Sequence, residues 1–432
     1  MNKIWSSLQQ LLITKLIYPI LLKYIDTHLL TTTEVMEQSK RENNIPNLEE
    51  EYKQIPALKF IYFILFNYIN KNLISRVGLT VTSKNQHKLY QLNYEKNIKI
   101  QLPITDQEIP NILKEKAGIF KFTVPFAAEI KNVELFGVDA IGFTEDKKII
   151  LETALDRVDC LQHSVISTLK QGFNFQYIRP MPNSENIDLA CSLVNYWSRL
   201  YAHWISEGLT RLEALEYYSK KTGKKPVLII DKDPPIWKIK SLELMGYRPE
   251  DCIQWNGYRA KVNELVICSK RREEGRVSIK AYYWLRERIL GNIDSYAVSK
   301  VPLSPNIFIS RRKTNARCIL NEEEVINTLA EMDFITYVFE DIDWQNQVKI
   351  FAQAKIIVAP HGAGLTNMIF SQRATIIEIF GDKISHFFYT MAQGLKFNYG
   401  CLFCEANNEN MIVNCEQLSK LIYKMSNKTL FK

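Results

Sequence analysis

A chain of 432 residues is long enough for two or three domains of about 150 residues each, with cores that need no disulfide or metal staple. Its formal charge of +8, from 55 basic and 47 acidic residues, suits anionic ligands or a membrane surface, and no arginine-rich block supports a nucleic-acid partner. Eight cysteines at this length exclude a dense secreted disulfide scaffold, so reduced thiols in a cytoplasmic protein are the expectation.

In chain order, Leu11 to Ile25 is apolar but broken by Lys15, Pro19 and Lys23, with no small-residue cleavage site behind it, so neither a spanning helix nor a secretory signal is expected. Phe60 to Ile69 is more apolar but about half the ~20 residues that spanning requires. Both read as amphipathic helices. Packing on the body is favoured over peripheral membrane contact, which stays open as the second reading. Thr31 to Glu51 is polar and reads as a linker or a solvated helix. From Leu102 to Asp156 the pattern turns to short β-rich segments, Ile119–Val124, Val133–Phe136, Ala140–Phe143 and Lys148–Leu151. The residues Thr144 to Lys147 form a hairpin turn between the last two, which predicts antiparallel pairing.

From Val194 the pattern alternates helix and strand: a helix to Leu212, a strand at Lys225–Asp231, a helix near Trp237–Leu244 and a strand at Cys252–Trp255. His203 and Glu207 stand four apart on one helix face. The charge run within Ile267–Arg276 reads as a solvated face, and Ile279–Leu290 as a helix crossing between two domains. After Pro302 and Pro305 a second α/β domain opens with the strand Asn306–Ser310, and its last helix runs from Cys415 to Met425. Cys401-x-x-Cys404 with Cys415 lacks a fourth ligand for zinc, so core cysteines are expected there.

Within that second domain Lys355-Ile-Ile-Val-Ala-Pro-His-Gly-Ala-Gly-Leu-Thr-Asn367 reads as a buried strand stopped by Pro360, a glycine turn and a helix over Leu365–Phe370. A helix N-terminus behind glycines favours anionic groups. A second buried strand, Ala374–Phe380, carries Glu378, an acid suited to ribose hydroxyls. Together with Ile307-Phe-Ile-Ser310-Arg311-Arg312, Arg317, Leu320-Asn321-Glu322, Gln347–Ala354 and, upstream, Tyr201-x-His203-Trp204, these motifs resemble the glycosyltransferase 61 family over roughly the last third of the chain. Two departures are visible: Gln372-Arg373-Ala374 replaces the family's frequent proline and glycine, and Arg211 lacks the proline that often precedes it.

The resemblance implies an α/β fold of two Rossmann-like domains facing a cleft (GT-B), here an amino-terminal helical segment (1–100), an acceptor-side α/β domain with a β-rich extension (101–300) and a nucleotide-sugar-binding domain (301–432). It implies an inverting, metal-independent hexosyl- or pentosyltransferase that uses a UDP-linked sugar as co-substrate and no cofactor. The acceptor would be a hydroxyl of a glycan or lipid-linked molecule in polysaccharide biosynthesis. Inversion needs a proton acceptor, for which His203 is expected with Glu207 orienting it or serving as the base itself. It also needs donors for the leaving diphosphate. Donor binding falls to Ser310, Arg311, Arg312, Arg317, Asn321, Glu322, His361, Gly362, Ala363, Gly364, Thr366, Asn367 and Glu378. Two alternatives are a scaffold that retains the fold without catalysis, and a metal-dependent transferase using Asp231 and Asp233 or the similarly spaced Asp341 and Asp343.

Overall fold

The computed structural model describes residues 73–74, 87–93, 97–145, 148–157, 160–161, 163–164, 167, 186–257, 259–273, 275–293 and 301–430. The expected amino-terminal helices, the polar linker and their membrane contact lie outside the described residues. Among the described residues no helix is long and apolar enough to cross a membrane.

The α/β class expected from the sequence is present, built on two main sheets. The strands of the first are β1 (Leu73–Ile74), β2 (His87–Gln91), β3 (Phe126–Phe136), β4 (Ile141–Phe143), β5 (Ile149–Ile150), β6 (Asn186–Ser192), β7 (Val227–Asp231), β8 (Cys252–Trp255) and β9 (Arg259–Cys268). Their spatial order is β1-β5-β4-β3-β9-β6-β7-β8, with β2 also paired to β3. Strands β9, β6, β7 and β8 run parallel, whereas β2, β4 and β9 all pair antiparallel with β3. The antiparallel pairing expected before Asp156 is therefore found, and the β4–β5 turn is closed by Thr144 N–H donating to Lys148 O at 2.9 Å. The strand read at Val133–Phe136 starts seven residues earlier, at Phe126. Its first five residues are all buried, so the alternation by which an exposed strand is read is missing there.

The second sheet holds β10 (Asn306–Ser310), β11 (Ile335–Val338), β12 (Ile356–Pro360), β13 (Thr375–Phe380) and β14 (Asn398–Phe403), all parallel, in the order β11-β10-β12-β13-β14. The β-branched runs of β10, β12 and β13 are buried on both faces, as parallel strands covered by helices must be. The order reverses between β10 and β12. In open α/β sheets such a switch point, at the carboxyl ends of the strands, is where ligands bind. Pro360 does not stop the ladder as expected: it keeps its register opposite Ile379, and His361 N–H donates to Ile379 O at 2.9 Å. The stretch behind it is a 3-10 helix, Ala363–Phe370, rather than an α-helix. Leu365 to Phe370 are all buried, so packing from every side, not one amphipathic face, sets its tighter winding.

Helices α1 (Leu212–Thr222), α2 (Ile236–Leu244), α3 (Ile279–Asn292), α4 (Glu322–Ala330), α5 (Trp344–Gln353), α6 (Phe387–Gly394) and α7 (Cys415–Leu430) cover these sheets. Helix α1 ends on Gly223 at φ +72°, behind Lys220 and Lys221 in its last turn, the usual residues for a left-handed cap and a negative helix end. One hydrophobic cluster runs from Trp204, Leu212 and Leu285 on the first sheet's side to Phe351, Met368 and Phe370 on the second's. Helix α3 is fastened across it by Arg286 Nε–H donating to Ile369 O at 2.6 Å. The charge run before α3 is not a solvated face: Arg271 and Arg276 are buried, and the Arg272 side chain is 9% exposed.

Candidate active site

Upstream of α1 the chain makes an α turn (Tyr201–His203), a π turn (Trp204–Gly208) and a 3-10 turn (Leu209–Arg211) without leaving the helical path. A π turn inserts a residue and re-aims the side chains around it. Here Glu207 lies within it, and His203 Nδ1 meets Glu207 Oε2 at 2.7 Å. The His203 ring stacks on Trp197 at 5.0 Å and meets the edge of Phe387 at 5.6 Å. Burial alone would raise the Glu207 pKa, but the hydrogen bond to His203 and the charges of His203, Arg272 and Arg157 hold that carboxyl down at about 2. Glu207 is thus a fixed carboxylate that occupies Nδ1 and leaves Nε2 as the other ring nitrogen. Arg211 is buried and donates to Ser192 O and Cys268 O, tying the ends of β6 and β9.

On the second sheet a matching dyad forms. His361 Nδ1 meets Glu378 Oε1 at 2.5 Å, and the other oxygen of Glu378 accepts the Tyr399 hydroxyl at 2.6 Å. Glu378 is fully buried with both oxygens engaged, so it orients His361 and is not offered to ribose hydroxyls as expected. Phe388 lies 5.3 Å from the His361 ring and 5.0 Å from Phe387, which joins the two dyads through two aromatic rings.

Next to His361, Gly362 has extended backbone. Its glycine identity follows from close approach, because a Cβ there would collide with Arg311 Nη1. The other nitrogens of Arg311 hold Ala316 O at 3.4 and 3.2 Å. Burial and then the neighbouring Arg317 charge lower the pKa of Arg311. The two arginine charges thus act on each other, with Glu340 opposing them at Arg311, and among the described residues neither has a carboxylate in salt-bridge range. Arg317 itself sits at φ +60°, fixed by its N–H donating to Glu409 O at 2.8 Å, an uncommon conformation for a non-glycine residue. Ala363 is exposed and Gly364 half-buried, and both N–H groups precede the first turn bond, Leu365 N–H to Gly362 O at 3.0 Å.

The remaining expected donor-binding residues are bonded within the protein or buried. Arg312 is not a free fork: its Nε donates to Glu322 at 2.8 Å and it lies 3.4 Å from Glu323. Ser310 donates to the other oxygen of Glu322 at 2.8 Å, and Asn321 exchanges two bonds of 2.9 Å with Val413. This knot sets the loop that carries Arg311. Thr366 and Asn367 are fully buried. Asn367 accepts the Tyr201 hydroxyl, which also takes the Trp344 indole N–H at 2.8 Å, so this asparagine clamps one half of the chain to the other.

Three of the four acids proposed for a metal are engaged elsewhere. Asp231 is buried against Lys238 and Ser198 while Asp233 is exposed, so the two do not converge. Asp341 pairs with Lys313 at 2.6 Å, and Asp343 caps α5 by accepting Asn346 N–H at 3.0 Å. Among the described residues no group of three His, Cys, Asp or Glu has metal-site geometry. All eight cysteines are free, and burial raises the Cys401 and Cys404 thiols.

Residues not singled out from the sequence also line the candidate site: Trp197, Arg272, His386, Phe387, Phe388 and Tyr399. The Arg272 guanidinium lies 3.6 Å over the Phe387 ring and 3.7 Å from Glu207 Oε1. The only sequence signal for this corner is Gly275, at φ +80°, where a Cβ would collide with His386.

A family model, Glycosyltransferase 61, matches residues 201–377, from Tyr201 of the clamp to the residue before Glu378. Residues 201–377 are a glycosyltransferase 61 domain. The matched span takes in His203, Glu207, Arg272, Arg311, Arg317 and His361. Among curated relatives, the chain is 33% identical over 94 residues to the human protein O-linked-mannose beta-1,4-N-acetylglucosaminyltransferase 2, covering 21% of the chain and 16% of the relative. It is 27% identical over 93 residues to the Gallus gallus EGF domain-specific O-linked N-acetylglucosamine transferase, covering 20% and 17%, and 31% identical over 85 residues to the Bos taurus protein of that name, covering 18% and 16%. The matches thus span about a sixth of these relatives' length.

Two outcomes follow from this geometry. Gly362→Ala pushes Arg311 off its seat, and donor affinity is expected to fall about tenfold with the melting temperature little changed, as titration calorimetry and thermal melts would read. His386 is held neutral, its pKa pushed down to about 3 by burial and then by Arg272, Lys116 and Arg276. An unfolded histidine titrates near 6.5, so between about 6.5 and 3 the unfolded chain binds more protons and stability falls as pH drops. By pH 5 the loss should reach about 2 kcal/mol in urea unfolding, and His386→Asn should flatten that slope. The share of Glu207 is lost only at lower pH, between its ordinary range near 4.5 and about 2.

Proposed function

We propose that this chain is an inverting glycosyltransferase of GT-B arrangement that moves a sugar from a nucleoside-diphosphate sugar to a hydroxyl of a glycan or lipid-linked acceptor. The observation that carries this reading is Arg311, held against Gly362 at the switch point of the second sheet and within reach of the Arg317 charge. Two arginine charges without a carboxylate in salt-bridge range suit an anion of high charge, and a diphosphate matches the fork geometry of a guanidinium. The N–H groups of Ala363 and Gly364 add two donors at the same mouth, and His361, fixed by Glu378, presents its Nε2 beside them. Negative charge that grows on the departing diphosphate is stabilised there by fixed cations, so no divalent ion is required of the site.

On the other side His203 Nε2 takes the proton of the attacking hydroxyl, while Glu207 holds the ring's orientation and stabilises the imidazolium that forms. In-line inversion needs base and leaving group on opposite faces of the sugar, which suits two dyads separated by the Phe387–Phe388 pair. The relatives' names make N-acetylglucosamine the first sugar to try, carried on the UDP that the family resemblance implies. The chain, kept in EDTA with a panel of UDP- and GDP-sugars, should release nucleoside diphosphate from one of them, as mass spectrometry would detect. Release that appears only after manganese is added would return the metal-dependent reading, and no thermal shift with any nucleotide would favour the scaffold.

A further inference from the structure

Arg272 lies inside the site without a hydrogen bond among the described residues. Its side chain is 9% exposed, its Nε is a buried donor with no partner, and its ion-pair contact to Glu207 spans 3.7 Å. A guanidinium donor left unmatched in a dry position, as this Nε is, is costly. Such groups in folded proteins point to a missing partner. His386 Nδ1, which feels the Arg272 charge, is a second buried polar atom without one. The position of Arg272 is enforced by a hairpin of two short strands, Arg272–Glu273 and Arg276–Val277, whose Gly275 fits against His386 and accepts the Thr390 hydroxyl. Burial lowers the pKa of Arg272, and Glu207 is the carboxylate that opposes this.

We propose that Arg272 recognises an anionic group, a phosphate or a carboxylate, carried by the acceptor next to the hydroxyl delivered to His203. This rests on the transferase reading above. Inversion sets the attacking hydroxyl and the leaving diphosphate on opposite sides of the anomeric carbon. Arg272 touches Glu207 and Phe387, on the side of the base. Arg311 lies against Gly362, next to His361, whose ring meets Phe388. An anion at Arg272 therefore belongs to the acceptor and not to the donor, and a neutral acceptor would leave the arginine unmatched.

The test is calorimetric, on the full chain: first UDP, then methyl glucoside, methyl glucuronide and glucose 1-phosphate titrated into the UDP-saturated protein. At least one charged sugar should bind about tenfold or more tightly than the neutral glucoside, and which one does so separates carboxylate from phosphate. Arg272→Gln should reduce that preference to within about twofold and leave UDP affinity unchanged, while Arg272→Lys retains part of it. Equal affinity for charged and neutral sugars overturns the inference, as does failure of both charged sugars to bind. A tenfold loss of UDP affinity in Arg272→Gln also overturns it, by assigning the arginine to the donor. Should the glutamine variant not fold, the wild-type preference and its weakening by salt still decide. Absence of UDP binding by the wild-type chain is a separate outcome that removes the transferase reading itself.

Discussion

Replacing His203 by alanine is expected to lower kcat by about 10²- to 10⁴-fold, the usual contribution of a positioned general base, with KM for the donor nearly unchanged. Stability should change little. The ring is partly exposed, and Glu207 keeps the Arg272 and Arg157 charges when the imidazole is gone, so no buried carboxylate is stranded. Glu207→Gln should cost less, about 10- to 100-fold, because His203 remains and only its orientation and the stabilisation of its protonated form are lost. A carboxyl held at about 2 is a weak base, which is why the larger effect is assigned to the histidine. A folded His203→Ala chain with full turnover would remove the dyad from the mechanism.

Arg311→Ala is expected to weaken nucleoside diphosphate binding by about 100-fold, since a bidentate charge-assisted contact is lost and Arg317 alone must hold the anion. Arg312→Ala provides the contrast. Its guanidinium is neutralised by Glu322 and Glu323, so its loss should lower the melting temperature while sparing affinity. The two neighbours thus separate a binding role from a scaffold role in one pair of titrations. The reverse pattern, with affinity lost at Arg312 and kept at Arg311, would place the anion elsewhere.

How much of this was legible in the sequence depended on whether a residue's surroundings were local. The parallel strands around Ile307, Ile356 and Ile376 were readable because double burial demands unbroken β-branched runs. The helix Ile279–Asn292 was readable because its spacing is periodic. Gly362 was flagged for its lack of a side chain, yet the reason lies in Arg311, 51 positions upstream in the chain and brought in by the β10–β12 pairing. The π turn at Trp204–Gly208 has no residue signature of its own. Glu378 read as a ligand-facing acid because nothing in its strand announces Tyr399, the partner that fills its second oxygen. Arg271, Arg272 and Arg276 read as a solvated run since alternating charges ordinarily are, and only the packing of their hairpin on α6 turns them inward.

The central claim is that the diphosphate is held by the paired guanidiniums and the amide-lined turn without an ion. Titration of UDP and of UMP into the wild-type chain in EDTA tests it most directly. UDP should bind at least about tenfold more tightly than UMP, because the second phosphate is the group that reaches Arg311 and Arg317. Equal affinities, or a preference for UDP that emerges only when manganese is restored, would contradict it.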